Sequence, residues 1–219
     1  RGIGAAVAKR FAAEGATVIL LARTLAALEE IDDEIRSSGG HAVLAPLDLN
    51  DQDKIDQMGM GLYQRFGKLD ILVGNAGYLG DLTPLSHLEP KIWERVMRVN
   101  VTANWRLIRI LEPVLKQAEA PRAIFTTSGV TLSVHPYWGA YASSKAALEA
   151  MVQTWAGETV KTELRVNLVD PGAVRTRMRA LAFPGEDPNT LPTPESITET
   201  FVQLAEPACI RHGEVVRAY

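Results

Sequence analysis

Cysteine is almost missing: Cys209 is the only one in 219 residues. No intramolecular disulfide can staple this chain, and a cysteine-based zinc site is ruled against; no metal is expected. Also missing is any apolar run near the ~20 residues that a bilayer-crossing helix needs. Neither sign of charge is in surplus, because 23 Lys and Arg face 26 Asp and Glu for a net −3. That balance gives no electrostatic reason to expect a nucleic acid or an anionic membrane as partner. The one basic cluster, RTRMR from Arg175 to Arg179, reads as a solvated or anion-contacting loop. There is no visible secretory signal, internal repeat or low-complexity linker. What is present is 47% hydrophobic and 22% charged, the make-up of an ordinary globular chain. The length suits one large α/β domain, and a cytoplasmic enzyme is the expectation.

Short β-branched runs alternate with longer amphipathic stretches. Strands are expected at 17–22, 41–46, 69–74, 123–128, 164–170 and 213–218, with helices at 3–14, 24–38, 51–66, 90–117, 140–162 and 194–205. Gly15, Gly39 and Gly67 fall where helix C-caps belong. The strands are solidly apolar rather than alternating, which calls for burial on both faces. The expected fold class is therefore α/β, a doubly wound parallel sheet with helices on both sides, forming one domain over 1–219. The Pro-, Gly- and acid-rich segment 177–196 interrupts the rhythm and reads as a lid.

Ligands of such sheets bind beyond the carboxyl ends of the strands, and chemically informative residues follow the strands here. Gly2 and Gly4 open the first helix, whose N–H groups and positive dipole end favour a pyrophosphate. Ala22-Arg23 follows the second strand, where an acid would hold a ribose 2′-hydroxyl; a small residue and an arginine instead welcome a 2′-phosphate. Asp48 is placed either to accept from an adenine amino group or to cap the helix beginning near 51. The small residues of Gly74 to Gly77 let a ligand approach the backbone. Tyr141 and Lys145, four apart at a helix start, project from one face. An ammonium within ~5 Å is expected to pull the tyrosine pKa down from about 10 toward working pH. Ser128, at the end of the preceding strand, reaches the same cleft.

The order of these motifs resembles the short-chain dehydrogenase/reductase family across essentially the whole chain. The matching pieces are Gly2-Ile3-Gly4, Asp48-Leu49, Asn75-Ala76-Gly77, Asn100, Ser128, the YASSK run from Tyr141 to Lys145, and the PGAVRT run from Pro171 to Thr176. The residue before Asn75, often asparagine in the family, is Gly74. The resemblance implies a Rossmann-like enzyme, similar to bacterial 3-oxoacyl-carrier-protein reductases, that moves a hydride between NADP(H) and a carbonyl or secondary alcohol. By the same resemblance Tyr141 is the proton donor, Lys145 lowers its pKa and holds the nicotinamide ribose, and Ser128 polarises the carbonyl. Asn100 holds a water that links Lys145 to solvent. Arg1, Gly2, Ile3, Gly4, Arg23, Asp48, Leu49, Asn75, Ala76, Gly77, Pro171, Gly172, Val174 and Thr176 contact the cofactor. The family also implies homodimers or homotetramers built through helices 90–117 and 140–162. Leu132, Val134, His135, Trp138 and Phe183 are expected to shape the substrate pocket. A methyltransferase on a related fold would not need the Ser-Tyr-Lys set. A catalytically silent dinucleotide-binding regulator would be expected to break it, and it is whole.

In the strand order 3-2-1-4-5-6 the first strand lies centrally, between the second and fourth. None precedes RGIG. The natural polypeptide is thus expected to carry an upstream strand and Thr-Gly-type turn, roughly 10–20 residues.

Overall fold

The computed structural model describes residues 1–219. Along the chain run α1 (Gly2–Ala13), β1 (Thr17–Ala22), α2 (Leu25–Ser37), β2 (His41–Pro46), α3 (Gln52–Phe66) and β3 (Ile71–Gly74). Then follow α4 (Pro90–Met97), α5 (Ala103–Leu115), β4 (Arg122–Thr126), α6 (Gly139–Thr159), β5 (Arg165–Asp170), α7 (Arg177–Ala182), α8 (Thr198–Ala205) and β6 (Val215–Arg217). The boundaries obey local chemistry. Asp51 caps α3 by accepting the Lys54 N–H at 3.2 Å, and Gly67 ends it at φ 71°, a left-handed turn that glycine adopts without strain.

Every strand pairing is parallel. β1 pairs with β2 from Thr17–His41 to Ala22–Pro46, while β3, β4, β5 and β6 form a second ladder in that order. No ladder joins β1 to β3. Val18 of β1 and Ile71 and Val73 of β3 nevertheless border one apolar cluster, together with Val7 and Phe11 of α1. Strand alternation supplies the two faces. Ala123 and Phe125 pack with α3, α5 and α6 through Ile55, Leu111 and Trp155. Ile124 between them turns to α1 and α8, meeting Phe11 and Phe201. The result is the expected doubly wound arrangement, with helices covering both sides of parallel strands.

Several boundaries differ from expectation. The helix expected over 90–117 is three pieces: α4, a π-helical turn over Arg98–Thr102, and α5. The Asn104 side chain donates to the Asn100 carbonyl at 2.8 Å, and a side chain competing for a ladder carbonyl accompanies the widened turn. The strand expected over 123–128 runs 122–126, because Ser128 already caps a 3-10 turn over Gly129–Thr131. Strands 69–74 and 213–218 shorten to 71–74 and 215–217. Residues 194–197 are 3-10 helix, so α8 begins at Thr198. The 177–196 segment contains α7 and a 3-10 turn at Pro188–Thr190 rather than plain loop.

A buried arginine closes one end of the ladder. Arg122, 3% exposed, sends its guanidinium donors to the carbonyls of Pro121, Glu163, Glu206, Pro207 and Cys209. All five N–H groups are used, fastening the chain after α8 to the start of β4. Arg122→Met is expected to cost about 3–5 kcal/mol, since it strands buried carbonyls that water reaches poorly. Urea denaturation of the two proteins measures this, and a loss below about 1 kcal/mol would refute the account.

Candidate functional site

The site gathers at the carboxyl ends of β3, β4 and β5. Tyr141 lies in the first turn of α6 and Lys145 one turn on, 7% and 3% exposed respectively. The four-residue spacing puts both on one helix face, as expected. Lys145 Nζ stands 5.8 Å from the centre of the Tyr141 ring and donates to the Thr126 carbonyl at 2.8 Å. Burial pushes the Tyr141 phenol up to about 12, opposed by a hydrogen bond with Ser128 and reinforced by the charge of Asp170. Burial likewise pushes Lys145 down to about 8, opposed by Glu149. This corrects the expectation that Lys145 draws the Tyr141 pKa toward neutrality. Loss of water is the largest influence on each group, so each favours its uncharged form.

Asn100 is fully buried in the π-helical turn. Its Oδ1 accepts from the Tyr78 N–H at 2.7 Å, while Nδ2 donates to the Tyr78 carbonyl at 3.0 Å and to Ser144 Oγ at 2.9 Å. The side chain is thus engaged with α6 and the chain after β3. A Cβ on Gly77 would lie 3.8 Å from both Asn100 Oδ1 and Lys145 Nζ, so a hydrogen at that position keeps an open approach to the lysine.

The α1 terminus joins the same region through Asn75. A Cβ on Gly4 would meet Asn75 Nδ2 at 2.7 Å, and one on Gly2 would lie 3.7 Å from Thr176 Cγ2. Thr126 Oγ1 donates to Asn75 Oδ1 at 3.1 Å. Gly2, Ile3, Gly4, Asn75 and Thr176 are therefore neighbours, with Arg1 exposed beside them. Ala76 and Gly77 are also exposed. Arg23 is exposed at the end of β1, and its charge bears on Asp48. Burial works against ionised Asp48, yet hydrogen bonds from Asn50 and the charges of Arg23 and Arg95 hold its carboxyl below the usual range. Because Asp51 caps α3, the capping alternative for Asp48 does not hold.

Two expected contacts sit differently. The side chains of Leu49 and Val174 are buried in the two main clusters, which leaves only their backbones to face a ligand. Thr176 Oγ1 caps α7 by accepting from the Arg179 N–H at 3.1 Å. Pro171 is buried, and Gly172 has φ 68° with the Tyr219 ring packed on it, 2.7 Å from where a Cβ would stand.

An aromatic wall rises beside Tyr141. Trp138 lies 6.0 Å from the Tyr141 ring and 5.6 Å from Phe183. The Arg179 guanidinium stacks on Phe183 at 3.8 Å and pairs with Glu186, folding the first part of the 177–196 segment toward the site. His135 is exposed, 6.1 Å from Trp138. Three residues went unmarked in the sequence: Thr126, which ties Lys145 to Asn75, and the carboxylates Glu149 and Asp170. Glu149 was discoverable as the i+4 neighbour of Lys145; Asp170 carries no such signal beyond its place before Pro171.

No cluster of three or more His, Cys, Asp or Glu is arranged to hold a metal, and no helix is long and apolar enough to cross a membrane. The family model described as short chain dehydrogenase matches residues 1–187. The chain is 39% identical over 206 residues to the uncharacterized oxidoreductase YciK of Escherichia coli (strain K12), covering 93% of this chain and 81% of that protein. A solved short chain dehydrogenase from Pseudomonas syringae superposes with TM-score 0.97 at 40% identity, over 100% of this chain and 91% of that one. Another, from Escherichia coli CFT073 and complexed with NADPH, gives TM-score 0.93 at 38% identity, over 99% and 92%. With its motifs in order, its site assembled around Tyr141 and Lys145, and this likeness over nearly its full length, the chain belongs to the short-chain dehydrogenase/reductase family of oxidoreductases.

Proposed function

We propose that the chain is an NADP(H)-dependent oxidoreductase that transfers a hydride between the nicotinamide and a carbonyl or secondary alcohol. The observation that carries this reading is the buried Tyr141–Lys145 pair on one face of α6, with Ser128 near enough to the phenol to favour its ionised form. The residues suit a dinucleotide. α1 begins with no side-chain cap and no acid in its first turn, leaving N–H groups for phosphate. Lys145 has only one hydrogen-bond partner, the Thr126 carbonyl, so two of its three protons are available to sugar hydroxyls. NADP(H) supplies the hydride when bound.

The chain's own work is proton delivery and orientation. Tyr141, neutral at pH 7, donates its phenolic proton to the carbonyl oxygen, and Ser128 holds that oxygen in line. Lys145 holds the nicotinamide ribose, and Asn100 keeps α6 in register beside it through Ser144. Asn75, Ala76 and Gly77 line the adenine-ribose side; Pro171, Gly172 and the backbone at Val174 border the nicotinamide, with Thr176 near its phosphate. Trp138 and Phe183 favour an apolar substituent on the carbonyl, under a lid at 177–196. We infer a homodimer or homotetramer through α4, α5 and α6, where Trp93 and Trp105 stand exposed. A silent regulator would not be expected to keep Asn100, Ser128, Tyr141 and Lys145 together. Consumption of NADPH against a panel of ketones and aldehydes tests the reading, and failure to turn over any of them, with NADPH bound, would sink it.

Cofactor preference follows from the end of β1. NADPH should be favoured over NADH by roughly ten- to a hundredfold in kcat/KM, the equivalent of one charge-assisted contact of about 1.5–3 kcal/mol from Arg23 or Arg1. Ala22→Asp should move the preference toward NADH. Equal kcat/KM for both cofactors in the unmodified enzyme would contradict it.

A further inference from the structure

The turn that carries Ser128 is held from two sides by carboxylates. Glu149, one helical turn beyond Lys145, accepts the Thr127 hydroxyl at 2.5 Å and the Thr131 hydroxyl at 3.0 Å, both on Oε1. Asp170, the last residue of β5 and 2% exposed, accepts the Gly129 N–H at 2.9 Å and the Gly172 N–H at 3.1 Å on Oδ1. Tyr219 donates to its other oxygen at 3.3 Å. A Cβ on Gly129 would come within 3.2 Å of that oxygen, so a larger residue would crowd the turn where it meets the carboxylate. Ser128 thus has both chain neighbours tied down, one to α6 and one to β5 and the loop after it.

We propose that Glu149 and Asp170 are positioning residues for the proton-transfer pair: they set where the Ser128 hydroxyl stands relative to Tyr141, and they surround the pair with negative charge. The proposal rests on the reading of Tyr141 as the acid. Holding the turn would not require charge here, since the one amide oxygen of Gln or Asn could accept from both threonines or from both N–H groups at far lower desolvation cost. The charges have a use that the amides lack. Glu149 favours the ammonium of Lys145, and Asp170 disfavours the phenolate of Tyr141. Both act in the same sense, keeping each proton in place.

The other groups facing the pair bring no charge. They are the Thr126 carbonyl at the end of β4, Asn100 from the π-helical turn, Gly77 and Leu79 after β3, Ser128 and Val130 on the turn, Trp138 before α6 and Met178 from α7. Tyr219 touches only Asp170 among them, and Arg179 is occupied by Glu186.

The test compares the wild-type chain with Glu149→Gln, Glu149→Leu, Asp170→Asn and Tyr141→Phe, using NADPH and a carbonyl that the enzyme reduces. Glu149→Gln keeps an acceptor for both threonines, so kcat at pH 7 should stay within about threefold. Its alkaline fall in reduction rate should move to lower pH, because the ammonium of Lys145 has lost a supporting anion. Asp170→Asn should let alcohol oxidation begin at lower pH, the phenolate having lost a repelling one. Glu149→Leu should lower kcat by about 10- to 100-fold with the KM for NADPH little changed, as a misplaced catalytic group does. Wild-type kcat in Glu149→Leu, with unmoved pH profiles in the Gln and Asn variants, would overturn the proposal. Should Glu149→Leu not fold, those two profiles decide alone, since Gln keeps the acceptor for both threonines and Asn keeps the acceptor for the Gly129 and Gly172 N–H groups, giving up only that for Tyr219. Activity surviving in Tyr141→Phe would instead overturn the reading beneath it.

Discussion

Tyr141→Phe is expected to lower kcat for carbonyl reduction by about 10²–10⁴, the usual worth of a positioned general acid. Only one oxygen is removed. The ring would keep its place in the cluster with Leu79 and Val130, and its edge contact with Trp138 at 6.0 Å. Cofactor affinity should therefore change less than about threefold, as an NADPH fluorescence titration would measure. Stability should hardly move, because the lost hydroxyl interaction with Ser128 is offset by a drier neighbour. The sign of the pKa shift strengthens the expectation. A phenol pushed to about 12 by burial is fully protonated at pH 7, so reduction in the wild type should not await ionisation of Tyr141. A variant keeping more than a tenth of wild-type activity would show that some other group delivers the proton.

What the sequence disclosed was local, and what it hid was tertiary. YASSK is legible because helix geometry alone puts positions four apart on one face, and Tyr141 and Lys145 are indeed together. The apolar runs at 17–22 and 41–46 became β1 and β2 residue for residue. Glycine at position 4 was legible as a requirement, but half of its reason was not: besides opening α1 it makes room for the Asn75 amide. The π-helical turn at Arg98–Thr102 lies inside an uninterrupted amphipathic pattern, so periodicity reads straight through it. Leu49 and Val174 belong to motifs that suggest ligand contact, yet their side chains enter the core, because an apolar residue beside a backbone-contact position is still drawn to bury. The direction of the Tyr141 shift was misjudged for a related reason. Pair spacing is visible along a helix, whereas desolvation depends on what β4, β5 and the 129–131 turn pack over it. Thr126 and Asp170 meet partners far away in the chain that no local pattern announces, and only the four-residue spacing of Glu149 from Lys145 hinted at the third.

Lys145→Met should be inactive yet should remove the pH dependence that Lys145 imposes on folding. In the cofactor-free protein the ammonium is buried with one hydrogen-bond acceptor, the Thr126 carbonyl. Burial lowers its pKa from 10.5 to about 8, so folding works against the charged form. Below about pH 8 the lysine is charged in both the folded and unfolded chains, and the full destabilisation is present. Between about 8 and 10.5 the unfolded chain holds the proton and the folded one does not. Stability then rises with pH, until above 10.5 the penalty is gone. At 1.36 kcal/mol per pKa unit the whole effect is on the order of 3 kcal/mol. Tyr141 adds an opposite term, a raised pKa whose stabilisation starts to grow weaker above about pH 10, but it is present in both proteins and drops out of their difference. Methionine matches the lysine stem in length and carries no charge, at the cost of an unpaired Thr126 carbonyl, roughly 1–3 kcal/mol. Near pH 7 the two proteins should thus be similar in stability, and the variant should gain nothing on going alkaline. Wild type should overtake it by roughly 2–3 kcal/mol between pH 7 and pH 10. Urea denaturation at the two pH values gives the difference directly. A gap that stays constant would mean that Lys145 is hydrated or paired in the folded chain, and that the α6 pocket is wetter than the packing of Tyr141, Ser144 and Thr126 around it implies.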